Sequence, residues 1–285
     1  MVIITYLKLI NNYNRNSFLD YLSYIFCFLF IISGSIVSVV RYWQYEVFYY
    51  DFGIFDQAIW NVSRLKAPII DHLAVGGKWI FADHFNPSIF LLSPLYWLTE
   101  RSEILLVAQS LIVGLSGLIL YKIGLEITKN RIVSLSVLSC YLLFVGTQNA
   151  VITDFHEATI STLPFLLTFW AAIRNKPLWY FIFLIITLGF KESNFLLGIC
   201  IGIALFFIKK DWFKISIITL LISSLWGFLS IKLIIPYFSG GIYQYSTEFP
   251  NRISQLFFLF DAEVKRRTIF FSFLSFGFLS LLSPA

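Results

Sequence analysis

Long apolar runs separated by short polar segments dominate the chain. The first run covers Tyr21–Val40, and the others cover 104–122, 131–148, 158–173, 178–190, 193–208, 213–235 and 268–284. A helix needs about 20 mostly apolar residues to cross a bilayer, and most of the runs approach that length. The pattern predicts an all-α integral membrane protein, with about eight transmembrane helices in one polytopic domain (1–285).

The polar segment between the first two runs, residues 41–103, is longer than the others. It contains the stretch YYDFGIFDQAIWN (49–61), in which apolar side chains recur at helical spacing: Phe52, Phe55, Ile59 and Val62. Polar side chains occupy the opposite face of the same helix. This pattern predicts an amphipathic helix that lies in the plane of the membrane surface with its apolar stripe toward lipid.

A second apolar segment in the same loop, Asn86–Leu98, is too short for a regular span. If it crossed, every later run would reverse its direction, and basic residues such as Lys122 and Arg131 would change sides. Pro87 and Pro94 also favour a broken or tilted element. We therefore expect a re-entrant or interfacial helix within the first outer loop.

Composition agrees with a membrane location. The chain is 58% hydrophobic and 13% charged, whereas a soluble domain carries about 25% charged residues. The net charge of +5 comes from short basic clusters between the runs, so the partners expected are membrane lipids and not nucleic acid. A cytoplasmic N-terminus in the cell membrane satisfies the positive-inside rule, because it places these basic residues inside: Lys8, Arg15, Lys122, Lys129, Arg131, Arg174, Lys176, Lys209, Lys210 and Lys214.

The C-terminal part fits this topology less well. Lys265, Arg266 and Arg267 would lie outside if 268–284 is an eighth span, and their side stays open. The chain ends directly after that apolar run, which favours the interpretation that it is a truncated form of a longer protein.

Ionisable residues gather on the predicted outer side. All three histidines lie there, together with ten of the thirteen acids that precede residue 213. Outer loops that merely avoid Lys and Arg would explain the acids but not the histidines. Ionisable groups close to apolar spans are costly and tend to mark functional sites.

The candidate catalytic carboxylates are Asp51 and Asp56 in the stretch 49–61. Asp51 stands at the start of the predicted helix, where it could act as a general base at the membrane surface or simply as the N-cap. Asp56 lies near the polar–apolar edge of the helix and could be a second catalytic carboxylate or a solvated surface residue.

Two later segments place imidazoles beside carboxylates. Asp83 could orient His84, or could serve only as a turn former. Asp154 and Glu157 have the spacing of a capping box, which does not account for His156 between them. These three side chains could instead hold a divalent cation, or the imidazolium could neutralise a phosphate.

Lys191 and Glu192 lie between the outer ends of two runs. A lysine that reaches toward the membrane surface and pairs with its neighbour is one interpretation. Together with the other outer segments, the same lysine could supply a cation for a lipid phosphate.

Four motifs in this order carry a resemblance: DFGIFDQAIWN (51–61), DHFNPSIFLLSPLYWL (83–98), DFHEATISTLPF (154–165) and GFKESNFLLGI (189–199). Over roughly residues 40–285, the chain resembles a prokaryotic family of predicted multi-pass membrane proteins, domain of unknown function two thousand and seventy-nine. Members of that family generally continue beyond this length.

That family in turn resembles the C-type superfamily of integral membrane glycosyltransferases, which use polyprenyl-phosphate sugars as donors. The resemblance places Asp51 where the catalytic carboxylate sits, although the usual second acid beside it is Phe52 here. Asp154 falls where a second outer loop often contributes an acid. The function expected is sugar transfer on the extracytoplasmic face, with the leaving-group charge met by Lys191, His156 or His84 and with an optional divalent cation.

A transporter or a lipid-binding protein without chemistry is the alternative. Transporters commonly place ionisable or broken-helix positions near the bilayer midplane. The inner halves of these runs contain almost no ionisable residues, and Lys232 lies near the outer end of its run. The pattern therefore favours the enzyme over an ion-coupled transporter.

Overall fold

Helices make up most of the structure. The computed structural model describes residues 2–73, 78–241, 243–245 and 263–274, with side chains from residue 18 onward. The chain is 80% helical, and in the described ranges its extended pairing is limited to one isolated antiparallel bridge, Ile69 to Trp79. Two compact units divide the chain at Tyr243.

The α-helices in chain order are α1 (Val2–Trp43), α2 (Tyr49–Ser63), α3 (Glu103–Thr128), α4 (Arg131–Leu143), α5 (Val145–Ile152), α6 (Glu157–Ile160), α7 (Thr162–Ile173), α8 (Pro177–Leu188), α9 (Phe195–Ile208), α10 (Phe213–Phe228), α11 (Ile235–Ser239) and α12 (Glu263–Leu274). Short 3₁₀ helices cover Ile80–Ala82, Pro87–Trp97, Glu192–Asn194 and Lys210–Trp212, and a π-helix covers Leu229–Ile234. Among the described helices, α12 alone lies in the second unit.

Three of the described helices are long and apolar enough to cross a membrane. They are Phe18–Trp43 within α1, the whole of α3, and the continuous stretch Lys210–Ser239. A helix satisfies its own backbone hydrogen bonds, so it can pass through hydrocarbon without exposing polar groups. The chain is therefore a helical membrane protein, as its apolar runs predict.

Helices α4 and α5 form a fourth candidate span that is bent by 48°. The bend occurs at Phe144, whose extended backbone (φ −62°, ψ 125°) ends α4. The break corrects the sequence-based prediction of one continuous span over 131–148. The described structure therefore has three to four candidate spans. Three further apolar helices are shorter: Glu157–Ile173, α8 and Glu192–Ile208. The predicted count of about eight is not confirmed, and the end of the eighth predicted span lies outside the described residues.

Small residues allow the long helices to approach closely. A methyl group added to Gly114 of α3 would lie 2.3 Å from Cγ1 of Ile31 in α1. At the α9–α10 contact, a methyl group on Gly198 would lie 2.2 Å from the Ser223 hydroxyl. Small interfacial residues are characteristic of helix pairs in membranes, where dispersion contacts between close backbones provide much of the association energy.

The segment between α1 and α3 packs on the helical bundle. The apolar stripe of α2 (Phe52, Phe55 and Ile59) is buried in a core cluster with Leu105 and Phe155. The stripe therefore faces protein, and the prediction that it faces lipid is wrong. The predicted helix at Asn86–Leu98 is a 3₁₀ helix, Pro87–Trp97, that contains Pro94 and packs against α2. Pro94 lacks an N–H, which weakens any regular α-helix here.

Candidate functional site

Four segments that are distant in sequence bring ionisable side chains together. The segments are the start of α2, the loop before Pro87, the junction of α5 and α6, and the turn between α8 and α9. Ion pairs and electrostatic coupling connect these side chains to one another. We call this set the polar cluster: Asp51, Asp83, His84, Asp154, His156, Glu157, Lys191 and Glu192.

Asp154 and His156 form a carboxylate–imidazole pair in the loop after α5. Nδ1 of His156 lies 2.7 Å from Oδ1 of Asp154. This hydrogen bond raises the pKa of His156, although burial opposes the charged form. Asp154 is buried, whereas the side chain of His156 is 39% exposed. Because Nδ1 is engaged by Asp154, the Nε2 edge of an imidazolium is available to an approaching anion.

Gln109 holds this loop in place. It is fully buried in α3, and its Nε2 lies 3.1, 3.4 and 2.6 Å from the carbonyl oxygens of Ala150, Val151 and Asp154. Its Oε1 accepts a hydrogen bond from the backbone N–H of His156 at 2.9 Å. Gln109 therefore positions the Asp154–His156 pair through the backbone on both sides of it.

Glu157 and Lys191 form a buried ion pair. Nζ of Lys191 lies 2.7 Å from Oε1 of Glu157, and the Glu157 side chain is 1% exposed. The contact joins two oppositely charged groups, and the second Glu157 oxygen, Oε2, has no hydrogen-bond partner in the described structure. Burial lowers the pKa of Lys191, but the charge and the hydrogen bond of Glu157 outweigh burial, and the net shift is upward. Two sequence interpretations are therefore wrong: Lys191 does not pair with its neighbour, and the Asp154–Glu157 capping box does not form.

His84 and Glu192 form the third pair. Nδ1 of His84 lies 2.9 Å from Oε1 of Glu192, so Glu192 orients the imidazole in place of the predicted Asp83. Burial favours neutral His84, but the hydrogen bond and charge of Glu192 together raise its pKa. Burial likewise opposes ionisation of Glu192, and His84 reverses this and lowers the pKa of the carboxyl. The Tyr243 hydroxyl donates to the same Oε1 at 3.2 Å.

Asp51 stands at the edge of the polar cluster. Helix α2 begins at Tyr49 with Phe48 at the cap position, so the N-cap interpretation of Asp51 is wrong and the residue lies in the first turn. Burial raises the pKa of Asp51; nearby His156 opposes the shift, and Asp154 adds to it. The half-buried Asp51 carboxylate makes no hydrogen bond within the described part of the chain.

Asp56 lies apart from the polar cluster. Its Oδ1 accepts a hydrogen bond from the Tyr96 hydroxyl. Burial raises the pKa of Asp56, while hydrogen bonds from Tyr96 and Ser102 lower it by a smaller amount. It is therefore not the solvated surface residue that the helical pattern suggests, and its electrostatic neighbours belong to the α3 start and not to the polar cluster.

No three His, Cys, Asp or Glu side chains are arranged to hold a metal ion in the described ranges. The metal set considered from the sequence (Asp154, His156 and Glu157) is divided, because Glu157 turns to Lys191 and Asp154 to His156. In the described part of the chain, these three side chains therefore do not converge on one metal position.

Sequence reasoning missed three residues of this region. Gln109 and Asn86 are fully buried, and both side-chain polar atoms of Asn86 lack a hydrogen-bond partner in the described structure. Tyr243 contacts the cluster from beyond α11. The one available signal was an amide within an apolar run, as at Gln109, since such groups are costly in membrane helices and usually have a partner.

The fold and the site together define a polytopic helical membrane protein with a partly buried cluster of ionisable side chains. The chain belongs to the family Predicted membrane protein (DUF2079), whose model matches residues 41–285 and so includes every residue of the polar cluster. Comparison with the curated proteins and with the solved structures gave no match.

Proposed function

We propose that the protein is a membrane glycosyltransferase that transfers a sugar from a polyprenyl-phosphate donor on the extracytoplasmic face. The observation that carries the proposal is the placement of Asp51 beside the Asp154–His156 pair. A half-buried carboxylate without a hydrogen-bond partner in the described structure lies next to an imidazole whose pKa is raised by its hydrogen bond to Asp154. A candidate base and a candidate anion-binding group are thus adjacent.

Asp51 is suited to act as general base. A base works best when its pKa lies near the operating pH, and burial raises the pKa of Asp51 in that direction. Three other carboxylates of the cluster are engaged with cationic partners: Asp154 with His156, Glu157 with Lys191 and Glu192 with His84. Asp56 is less suitable, because it is bonded to Tyr96 and lies outside the cluster.

The reaction is a single displacement. The acceptor hydroxyl loses its proton to Asp51 while its oxygen bonds to the anomeric carbon of the donor sugar. The bond from that carbon to the phosphate oxygen breaks, and the polyprenyl phosphate leaves with the electron pair. The exposed edge of the His156 imidazolium stabilises the leaving phosphate. Lys191 and His84 neutralise Glu157 and Glu192, so they contribute to the site indirectly.

The orientation proposed for the chain places the polar cluster outside and the N-terminus in the cytoplasm, with about eight crossings. It is supported by ion pairs at the opposite end of the bundle, near the end of α3. There, Arg131 pairs with Asp20 at 3.1 Å and Arg174 with Glu126 at 3.3 Å. Basic residues at one end of the helices are what the positive-inside rule requires of the cytoplasmic side.

The proposal is tested with purified protein, labelled polyprenyl-phosphate sugars and hydroxyl acceptors. Asp51→Asn should reduce turnover by roughly 10²–10⁴-fold, the usual contribution of a general base. Asp71→Asn is the matched control, because Asp71 is an exposed carboxylate of the same loop that contacts Gln57 and not the cluster. Equal turnover in both variants would exclude Asp51 as the base, and absence of turnover with every donor would exclude the reaction.

A transporter or non-catalytic lipid-binding protein is the second candidate, and two observations favour it. Five carboxylates of the cluster accompany three cationic side chains, an excess that would attract a cation and not an anionic donor. The 48° break between α4 and α5 resembles the discontinuous helices of transporters. Uptake of a labelled cation into vesicles containing the protein, abolished by Glu192→Gln and unaccompanied by sugar transfer, would favour this alternative.

A further inference from the structure

An apolar groove lies between α1 and the bent pair α4–α5. It consists of two adjoining cavities of about 400 and 280 Å³. Phe30, Ser33 and Gln148 line both cavities, so the two lie side by side. Their combined size falls within the range of about 300–1,000 Å³ that is usual for small-molecule sites.

The break in the helix creates this groove. The Phe144 ring packs over Gly146, where an added methyl group would lie 2.5 Å from the ring, so a larger residue would disturb the bend. The side-chain amide of Gln148 donates to the Leu142 carbonyl at 3.3 Å. This bond satisfies a carbonyl that the interrupted helix leaves without an intrahelical partner. Specific side-chain contacts therefore stabilise the bend.

One end of the groove adjoins the polar cluster. The second cavity ends at Val37 of α1 and at Val151 and Ile152 of α5, and Asp154 follows Ile152 after one residue. The Ser38 hydroxyl lies 2.9 Å from the Val151 carbonyl oxygen and so fixes α1 against this end of α5. A long apolar molecule in the groove would therefore have its terminus beside Asp154 and His156.

We propose that the groove binds the isoprenoid chain of a polyprenyl phosphate, with the phosphate at the His156 end. The flanking helices are candidate membrane spans, so the groove opens at the depth of lipid chains. Its lining is mainly aliphatic and aromatic, which suits a branched hydrocarbon. The inference rests on the proposed function for the identity of the lipid, and it adds the place where the donor is held.

The test uses photo-crosslinking with a polyprenyl phosphate that carries a diazirine in its isoprenoid chain. Labelling should fall on peptides of α1 and α4–α5, and excess unlabelled polyprenyl phosphate should suppress it. Ser33→Trp fills the part of the groove that both cavities share and should reduce labelling by about tenfold or more. The control is Ile36→Trp, because Ile36 is exposed on the same helix and lines neither cavity.

Several outcomes would overturn the proposal. Labelling elsewhere, or equal labelling of Ser33→Trp and the control, would show that the groove does not hold the chain. A phospholipid with a diazirine in its acyl chain serves as a second probe, and equal labelling by it would indicate ordinary bilayer lipid. If Ser33→Trp does not elute as folded protein, Ser33→Leu and the competition experiment decide. Labelling of the groove without sugar transfer would refute the proposed function alone, whereas transfer that Ser33→Trp leaves unchanged would refute the groove alone.

Discussion

Replacing Lys191 with methionine should destabilise the protein strongly. Lys191 is the charge partner of Glu157, whose side chain is 1% exposed and whose Oε2 has no hydrogen-bond partner in the described structure. Methionine keeps most of the apolar stem of lysine but leaves the carboxylate uncompensated. Removal of one member of a buried pair costs about 3–5 kcal/mol, and we expect a loss of that size.

A second ion pair, with the same nitrogen–oxygen distance but exposed side chains, provides a control. Arg267 and Glu263 of α12 also approach to 2.7 Å, but their side chains are 71% and 67% exposed. Exposed pairs contribute only about 0–1 kcal/mol because water and salt screen them. Arg267→Met should therefore change stability little, and the contrast between the two variants measures burial and not contact distance.

The double variant Glu157→Gln, Lys191→Met completes the test. It removes both charges, so most of the stability lost in Lys191→Met should return. Unfolding of the purified protein in detergent micelles by heat or denaturant measures all four proteins. The reasoning fails if Lys191→Met loses no more stability than Arg267→Met, or if the double variant is no more stable than Lys191→Met.

Two further predictions concern the same region. Gln109→Leu should lower the free energy of unfolding by roughly 2–6 kcal/mol, because it leaves the His156 N–H and the Asp154 carbonyl unsatisfied at about 1–3 kcal/mol each. Gln57→Leu, which breaks the exposed contact with Asp71, is the control in the same unfolding assay, and similar losses would contradict the role of Gln109. The folded-state pKa of His84 is raised, so its stabilising effect is complete below the unfolded value of about 6.5 and is lost as pH rises through the folded value. The melting temperature should therefore fall from pH 6.5 upward, and His84→Gln should reduce that fall; an unchanged pH profile would show that the His84–Glu192 pair contributes nothing.

The helices were largely predictable because their signal is local. The apolar runs at 104–122, 178–190 and 193–208 correspond to α3, α8 and α9, since hydrophobicity and backbone hydrogen bonding favour a helix wherever an apolar run meets lipid. The bend at Phe144 was not predictable in this way. Phe144 lies within the apolar run 131–148, and no proline marks the break.

A periodic pattern also could not predict whether the apolar face of α2 contacts lipid or protein. A stripe such as Phe52, Phe55 and Ile59 shows which face avoids water, but lipid and protein interior are equally acceptable to it. The stripe meets protein because Leu105 and Phe155 complete a core there. Asp56 is partly buried, and the Tyr96 hydroxyl of the neighbouring 3₁₀ helix donates a hydrogen bond to it.

By itself, the sequence determined that the protein is a helical membrane protein. It also indicated a topology in which Asp51, His84, His156 and Lys191 lie on one side of the membrane. Only the tertiary structure decided which charges pair. Local spacing suggested Asp83 for His84 and Glu192 for Lys191, whereas the bundle pairs His84 with Glu192, 108 residues away, and Lys191 with Glu157. The physical reason is that a buried charge must find an opposite charge at the end of the bundle, and helix packing determines which one is within reach.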